Sequence, residues 1–267
     1  MSSCLNRCGA VSLLICLREV ACQLCGRLTL THPSEAVAAL FKYESDDKAA
    51  EDFPPRYNVG PTQPLVTIRQ EMARRVMRLV RWGLVPGWVK DPQKFTLLIN
   101  ARVETVREKP SFRGSMRHHR CLIPASGYYE WHREGGHKQP FYMRPKSGEL
   151  FAMAGLWAEW SGPDGNLIDS GAVLTQPANE ALSGIHHRMP IVLTPDRFDD
   201  WLDVATIDAP EAHRLLRPVP DDFFEAIPVS SRVNYIRNEG PELIEQVTIE
   251  PSSEEPPKAD DTQMNLF

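Results

Sequence analysis

The sequence predicts an α+β fold with largely antiparallel sheet, and three observations carry the prediction. Short runs of strand character outnumber segments of helical character, and the two kinds do not alternate as they would in βαβ units. The third is composition: 42% of the 267 residues are hydrophobic and 24% are charged, which is ordinary for a globular protein and excludes collagen-like, coiled-coil and disordered classes. One domain of somewhat over ~200 residues, or two small ones, can bury enough apolar surface at this length to need neither metal nor disulfide.

The elements follow in chain order. Residues 1–24 do not match the rest: they hold Cys4, Cys8, Cys16 and Cys22, whereas the remainder has only Cys25 and Cys121. A long body with so few cysteines reads as a protein of a reducing compartment. Arg7 precedes a short apolar run as in a signal peptide, but Arg18 and Glu19 interrupt it and no small-x-small cleavage site follows. Nor does Glu19-Val20-Ala21-Cys22 make a lipoprotein site. The longest apolar stretch, 10–17, is broken by Ser12 and is far short of the ~20 residues a membrane span requires. A helix is predicted over 33–43, where Pro33 opens the first turn and Ala36, Ala38, Ala39 and Leu40 are helix formers. The 76–82 run sets Val, Met, Leu and Trp among arginines and reads as a strand with a basic face. Further strands are predicted at 97–101, 120–124, 127–132, 140–144, 150–155, 171–175 and 190–193, and further helices at 179–182, 195–204 and 210–216. From 248 the chain is rich in Pro, Ser and acids and has almost nothing to bury, so disorder is expected over 248–267. It ends in Gln263-Met264-Asn265-Leu266-Phe267, a partly apolar peptide suited to docking.

The net charge of −5 conceals an asymmetry: residues 69–120 carry thirteen Lys and Arg against four Asp and Glu, while 248–267 carries five acids against Lys258. Distribution matters more than the sum where a nucleic-acid partner is considered, and the middle of the chain is basic enough for one.

Seven short stretches are dense in reactive or nucleic-acid-compatible residues. They are Cys25-Gly26-Arg27, Arg56-Tyr57-Asn58-Val59-Gly60-Pro61, Arg81-Trp82 to Trp88, Asn100-Ala101-Arg102-Val103-Glu104-Thr105, Gly127-Tyr128-Tyr129-Glu130-Trp131, Ile185-His186-His187-Arg188-Met189-Pro190, and Pro228-Val229-Ser230. Each alone is weak. Together, in this order, they resemble the SOS response-associated peptidase (SRAP) family, the abasic-site crosslinking proteins, and the resemblance runs from Cys25 to about Val247.

The resemblance implies an SRAP-type fold over 25–247, with antiparallel sheets forming a barrel-like core and helices on its flanks. It implies a DNA repair protein that traps abasic sites in single-stranded DNA through an N-terminal cysteine, without cofactor or metal. The chemistry is consistent with that residue type. A ring-opened abasic sugar presents an aldehyde, and only an N-terminal Cys offers a free α-amine and a thiol on adjacent carbons, so an imine can form and close to a thiazolidine. The α-amine's ordinary pKa near ~8 leaves a useful neutral fraction at neutral pH, and holding the three groups together makes closure effectively unimolecular.

Cys25 here follows Leu24 rather than an initiator Met. An internal cysteine has an amide nitrogen, which cannot form an imine, so translation is expected to start at position 24, with the initiator residue removed; a cleavable prefix is the competing account. By motif match, Asn100 would orient the Cys25 amine or the sugar. Glu130 would shuttle protons during imine formation and removal of the initiator residue, and His186 would protonate or stabilise the opening sugar oxygen. Arg27, Arg102 and Arg188 would clamp phosphates, and Pro61, Trp82 and Trp88 would serve as wedges or platforms against flanking bases. Imine formation also permits β-elimination, so abasic-site lyase activity is expected as a side reaction. Gln263, Met264, Leu266 and Phe267 resemble a bacterial sliding-clamp-binding peptide, which would tether the protein near replicating DNA. A cytoplasmic, nucleoid-associated monomer is the expectation that follows.

The same residues have plainer readings. Cys25 can be a small buried hydrophobe. Cys4, Cys8, Cys22 and Cys25 can form a thiolate zinc or redox site, although no zinc-ribbon spacing accompanies them. The arginines of 69–81 can be a solvated strand face, the tryptophans can be core, with at least one of Trp131, Trp157 and Trp160 expected there, and Asn100 can be a buried amide satisfied within the protein. The functional rivals are a peptidase acting on other substrates and a non-covalent single-strand binder.

Overall fold

The structure is a computed structural model, and it describes residues 26–44 and 53–249. The architecture is α+β. Among the described residues thirteen strands divide between a five-stranded and an eight-stranded sheet. The smaller sheet runs in the order β13 (Phe224–Pro228), β8 (His137–Pro145), β7 (Gly127–Glu134), β1 (Leu28–Leu30), β2 (Arg56–Val59), antiparallel throughout. In the larger sheet β4 (Arg74–Trp82), β3 (Pro64–Glu71), β6 (Arg120–Ala125), β9 (Phe151–Ser161) and β10 (Leu167–Pro177) form a ring, because β10 pairs with both β9 and β4. Closing the ring removes its free edges. Outside it, β11 (Arg188–Pro190) pairs with β10, β12 (Val192–Leu193) with β9, and β5 (Asn100–Arg102) runs parallel to β10.

Period-two alternation divides the strand residues between two cores. On β6, Cys121 and Ile123 join Leu65, Val80, Trp82 and Val173, while Leu122 between them joins Ile68, Met77, Phe41, Phe198 and Trp201. Two glycines allow the strands to come close: a Cβ on Gly155 would lie 2.6 Å from the Ile123 side chain, and one on Gly127 would lie 2.4 Å from the Tyr142 ring.

The predicted helix over 33–43 is α1, Ser34–Phe41, with Pro33 at its N-cap and Val37 and Phe41 buried. The expected helices over 179–182 and 210–216 are Glu180–Ser183 and Ala209–Arg214, the latter opened by a reciprocal Asp208–Glu211 capping box. The one over 195–204 divides into a 3-10 turn, Pro195–Arg197, and a short helix, Phe198–Leu202. The predicted strands are present, except that the one over 97–101 is confined to Asn100–Arg102 and the one over 190–193 is two short strands, Arg188–Pro190 and Val192–Leu193; β1, β2, β3, β13 and the helix Arg113–His118 are additions to the reading. Among the described residues no helix is long and apolar enough to cross a membrane.

The basic run over 69–120 is partly tied up by the fold, while Lys90, Lys94, Arg102, Arg107, Lys109, Arg113 and Arg117 remain exposed. Arg74, Arg75 and Arg78 pair with Glu44, Asp199 and Glu71. Arg120 is buried, and its guanidinium donates to the carbonyls of Met116, Trp201, Asp203 and Ile207. Burial, only partly offset by the charges of Asp203 and Asp208, lowers its pKa to about 10. It ties the loop after Trp201 to β6.

Candidate functional site

The residues expected to act together come from four separate parts of the chain, and the sheets bring three of those parts side by side. Gly26 and Arg27 lead into β1, which lies between β2 and β7. Tyr129 donates its N–H to the Arg27 carbonyl at 3.0 Å, which sets this lead-in beside Glu130. On its other side a Cβ at Gly26 would lie 3.5 Å from Ile99 Cδ1, one residue before Asn100. The chain emerging at position 26 is therefore held between the Asn100 strand and the Glu130 strand. Cys25 itself lies outside the described residues.

Glu130 sits on β7 opposite Phe141 and is 4% exposed. A carboxylate in such a place is costly unless other groups share its charge or proton. Its Oε1 is 3.9 Å from Nδ1 of His186. His186 follows the short helix Glu180–Ser183, whose last turn it closes with an N–H to Leu182 O bond of 3.1 Å. Its Nδ1 lies 3.2 Å from the Arg188 main-chain nitrogen and 3.4 Å from the Arg188 carbonyl oxygen, so the ring is held against the Arg188 backbone. Burial, and then the His187 ring stacked 4.4 Å away, hold the His186 pKa below the ordinary histidine value. It is thus disposed to work as a neutral hydrogen-bond donor rather than as an imidazolium.

Asn100 begins β5 and pairs with Val173 of β10, with the Val173 N–H donating to Ile99 O at 3.0 Å. Beneath this strand Trp82 is 1% exposed, and its indole N–H donates to Ile99 O at 3.0 Å. This corrects the expectation of a base platform at Trp82: both faces are in the core, and the residue supports the Asn100 strand instead. Trp88 is 60% exposed, set edge-on to Phe95 at 5.7 Å, and does present an open ring. Pro61 is half-buried in the loop after Gly60, whose missing Cβ leaves room for the Ile236 and Arg27 side chains. Trp160 is the core tryptophan among the three for which one was expected, with its N–H on Val89 O at 2.6 Å.

The arginines divide in the same way. Arg102 is exposed at the end of β5, open to a phosphate. Arg27 donates to Asn58 Oδ1 and Val233 O, both at 2.6 Å, and to Asn234 O at 3.2 Å. Arg188 has a side chain only 7% exposed, its fork filled by both oxygens of Glu104 and by the Thr175 carbonyl. Arg27 and Arg188 both direct their terminal nitrogens to the protein's own oxygens.

Two residues of the same motifs carry more than the sequence reading gave them. Asn58 is fully buried, accepts from Arg27 and donates to the carbonyls of Val233, Tyr235 and Asn238, fixing the loop after Ser231–Asn234 against β2. Glu104 holds Arg188. Their only signal in the sequence was membership of the dense stretches; a buried Asn beside a buried Val in a strand does mark an amide that must find partners.

No group of three or more His, Cys, Asp or Glu suited to a metal occurs among the described residues. Cys121 is fully buried, and burial pushes its thiol up to about 12, which makes it an inert core residue. The cysteines of the zinc reading and the terminal peptide Gln263, Met264, Leu266 and Phe267 lie outside the described residues.

Comparison with known proteins bears on this arrangement. The family model described as SOS response associated peptidase (SRAP) matches residues 24–236. Abasic site processing protein YoqW of Bacillus subtilis is 40% identical over 223 residues, covering 83% of this chain and 99% of its own. Abasic site processing protein YedK of Escherichia coli is 32% identical, covering 84% and 100%. HMCES of Gallus gallus, named in the same way, is 35% identical over 72% of this chain and 66% of its own. A crystal structure of a protein from Bacteroides thetaiotaomicron superimposes with a TM-score of 0.74 at 27% identity, over 84% of this chain and all of that one.

Proposed function

Because the chain belongs to the SRAP family, we propose that it processes abasic sites in single-stranded DNA by forming a covalent thiazolidine through Cys25, as the N-terminal residue of the mature protein. The observation that carries the reading is the buried Glu130 carboxyl lying 3.9 Å from a half-buried His186, beside the backbone that leads directly from Cys25. The relatives' names, abasic site processing protein, support the substrate class.

In this mechanism the C1′–O4′ bond of the sugar breaks as the anomeric hydroxyl gives up its proton to Glu130 and the ring oxygen takes one up in exchange, with His186 hydrogen-bonded to that oxygen. The neutral α-amine adds to the resulting aldehyde, Glu130 moves protons between nitrogen and the departing hydroxyl, and one water leaves as the imine forms. The thiol then adds across the C=N bond, its proton passing to nitrogen, and the thiazolidine closes. Asn100 orients the amine or sugar as a neutral amide, which leaves the nucleophile's charge unchanged. Arg102 and Trp88, the open members of the expected DNA-binding set, meet a phosphate and a base. β-Elimination from the imine gives the lyase side reaction. Glu130 acting on the bond before Cys25 would account for removal of the initiator residue, with translation starting at position 24. The terminal peptide 263–267 would tether the protein to a sliding clamp.

The test is intact mass spectrometry of protein beginning at Cys25 after incubation with single-stranded DNA carrying one abasic site. A heat-stable adduct weighing protein plus DNA less one water, absent or labile with Cys25→Ser, is the expected result. Salt-dependent binding without that mass overturns the covalent reading in favour of a non-covalent single-strand binder. Glu130-dependent cleavage of unrelated peptides would favour the peptidase.

A further inference from the structure

Two residues beyond His186, Arg188 binds a carboxylate, Glu104, to which the mechanism gives no task. We propose that Glu104 is a positioning residue: acting through the Arg188 guanidinium, it fixes the 186–188 turn and with it the orientation and tautomer of His186. The proposal rests on the reading of His186 as a group that acts on the sugar.

The geometry has three parts. Arg188 presents both terminal nitrogens to Glu104, Nη1 to Oε1 and Nη2 to Oε2, the second at 3.0 Å, which is the fork-to-fork pairing that restricts a guanidinium in direction as well as position. Nη2 also donates to Thr175 O at 2.6 Å and lies 3.2 Å from Thr175 Oγ1. The same Thr175 carbonyl accepts the N–H of Val103 at 2.9 Å. The strand leaving Asn100 and the segment carrying His186 thus converge on one carbonyl and one guanidinium. Finally, the main chain of Arg188 meets His186 Nδ1, its nitrogen at 3.2 Å and its carbonyl oxygen at 3.4 Å. With its side chain anchored on one side, Arg188 cannot turn that main chain away from the imidazole.

Charge matters here as well as shape. The Arg188 side chain is 7% exposed and that of Glu104 45%, so the guanidinium gives up most of its water and depends on the carboxylate for compensation. Replacing Glu104 by the isosteric amide keeps one acceptor and removes both the charge and the second acceptor. The fork then loosens, the turn gains freedom, and His186 Nδ1 loses its fixed partner.

The experiment compares wild type, Glu104→Gln, Arg188→Lys and the double variant, all beginning at Cys25. Three quantities are measured: the single-turnover rate constant of adduct formation on abasic DNA, the Kd for the same strand with an intact base, and the ring 15N shifts of His186. For Glu104→Gln the rate constant is expected to fall about 10- to 100-fold, the scale on which misplacement of a reacting group acts. Its Kd is expected to stay within about twofold, since no open DNA contact is lost. The ring shifts are expected to move from those of a single tautomer toward those of a mixture. Arg188→Lys keeps the charge and the main-chain N–H but loses the fork, so it should reproduce the rate loss and the tautomer change, and the double variant should be no slower than the worse single one. If Glu104→Gln does not fold, as thermal unfolding would reveal, Arg188→Lys carries the test. Unchanged rate and tautomer overturn the proposal. So does tighter DNA binding at an unchanged rate, which would make Glu104 a competitor with phosphate for Arg188. A wild type that forms no adduct overturns the covalent reading instead, and the tautomer comparison then still decides whether Glu104 holds His186.

Discussion

In the proposed mechanism Glu130 and His186 share the proton work: the carboxyl is 4% exposed and lies 3.9 Å from a half-buried imidazole held against the Arg188 main chain. Glu130→Gln keeps the volume and removes the proton carrier. The rate of adduct formation should fall by roughly 10²- to 10⁴-fold, with the thermal midpoint equal to or above that of wild type because a buried carboxyl has been replaced by a neutral group. Single-turnover kinetics and a melting curve on the same sample check both halves. At this scale the sequence was informative about residue type and silent about partners. Glu130 stood out as an acid in an apolar run. The role of Arg188 could not be read, because its carboxylate partner lies 84 residues away and only the β5–β10–β11 pairing brings the two together.

At the level of elements, the alternation that identified β4 also contained the answer for Trp82, since alternation places side chains on one face or the other of a strand. The reading treated tryptophans near a basic run as base platforms, whereas the core needed the Trp82 ring beneath the Asn100 strand. Trp88, in the loop beyond, remained outside. The two should therefore separate cleanly. Trp82→Ala should cost about 3–5 kcal/mol of stability, as large aromatic truncations in cores do, whereas Trp88→Ala should leave stability unchanged and weaken single-strand binding by about 1–3 kcal/mol. Urea unfolding and fluorescence-anisotropy titration distinguish them. Three of the strands that escaped the reading did so for physical reasons. β1 has three residues and β2 four, too short for periodicity to register, and β13 follows a loop and owes its existence to pairing with β8.

For the whole molecule, two histidines set the behaviour in acid. His119 lies 4.3 Å from the Trp157 ring, over whose face Arg69 also sits at 3.7 Å. Burial first, then the charges of His118 and Arg69 against that of Asp169, hold its pKa below the ordinary value, and His186 is lowered too. In both cases the folded state prefers the neutral ring, so the unfolded chain binds more protons below about 6.5 and stability is lost as pH falls from there toward the lowered values. The urea midpoint should fall between pH 7 and pH 5.5, and His119→Phe, which keeps the ring stack, should flatten that slope.

The parallel pairing of β5 and β4 with β10 has a consequence in time as well as in space. Antiparallel hairpins such as β3–β4 can form from neighbouring residues, but a strand at 100–102 waits for one at 167–177, and the ring closes only when β10 arrives. Such non-local contacts form late. The Asn100 strand, the Glu130 strand and the His186 turn are therefore in register only at the end of folding, so a nascent or partly unfolded chain lacks the groups that would let its N-terminus capture an aldehyde. In a refolding experiment, competence to react with abasic DNA should return with the slowest phase rather than with the first appearance of β-structure.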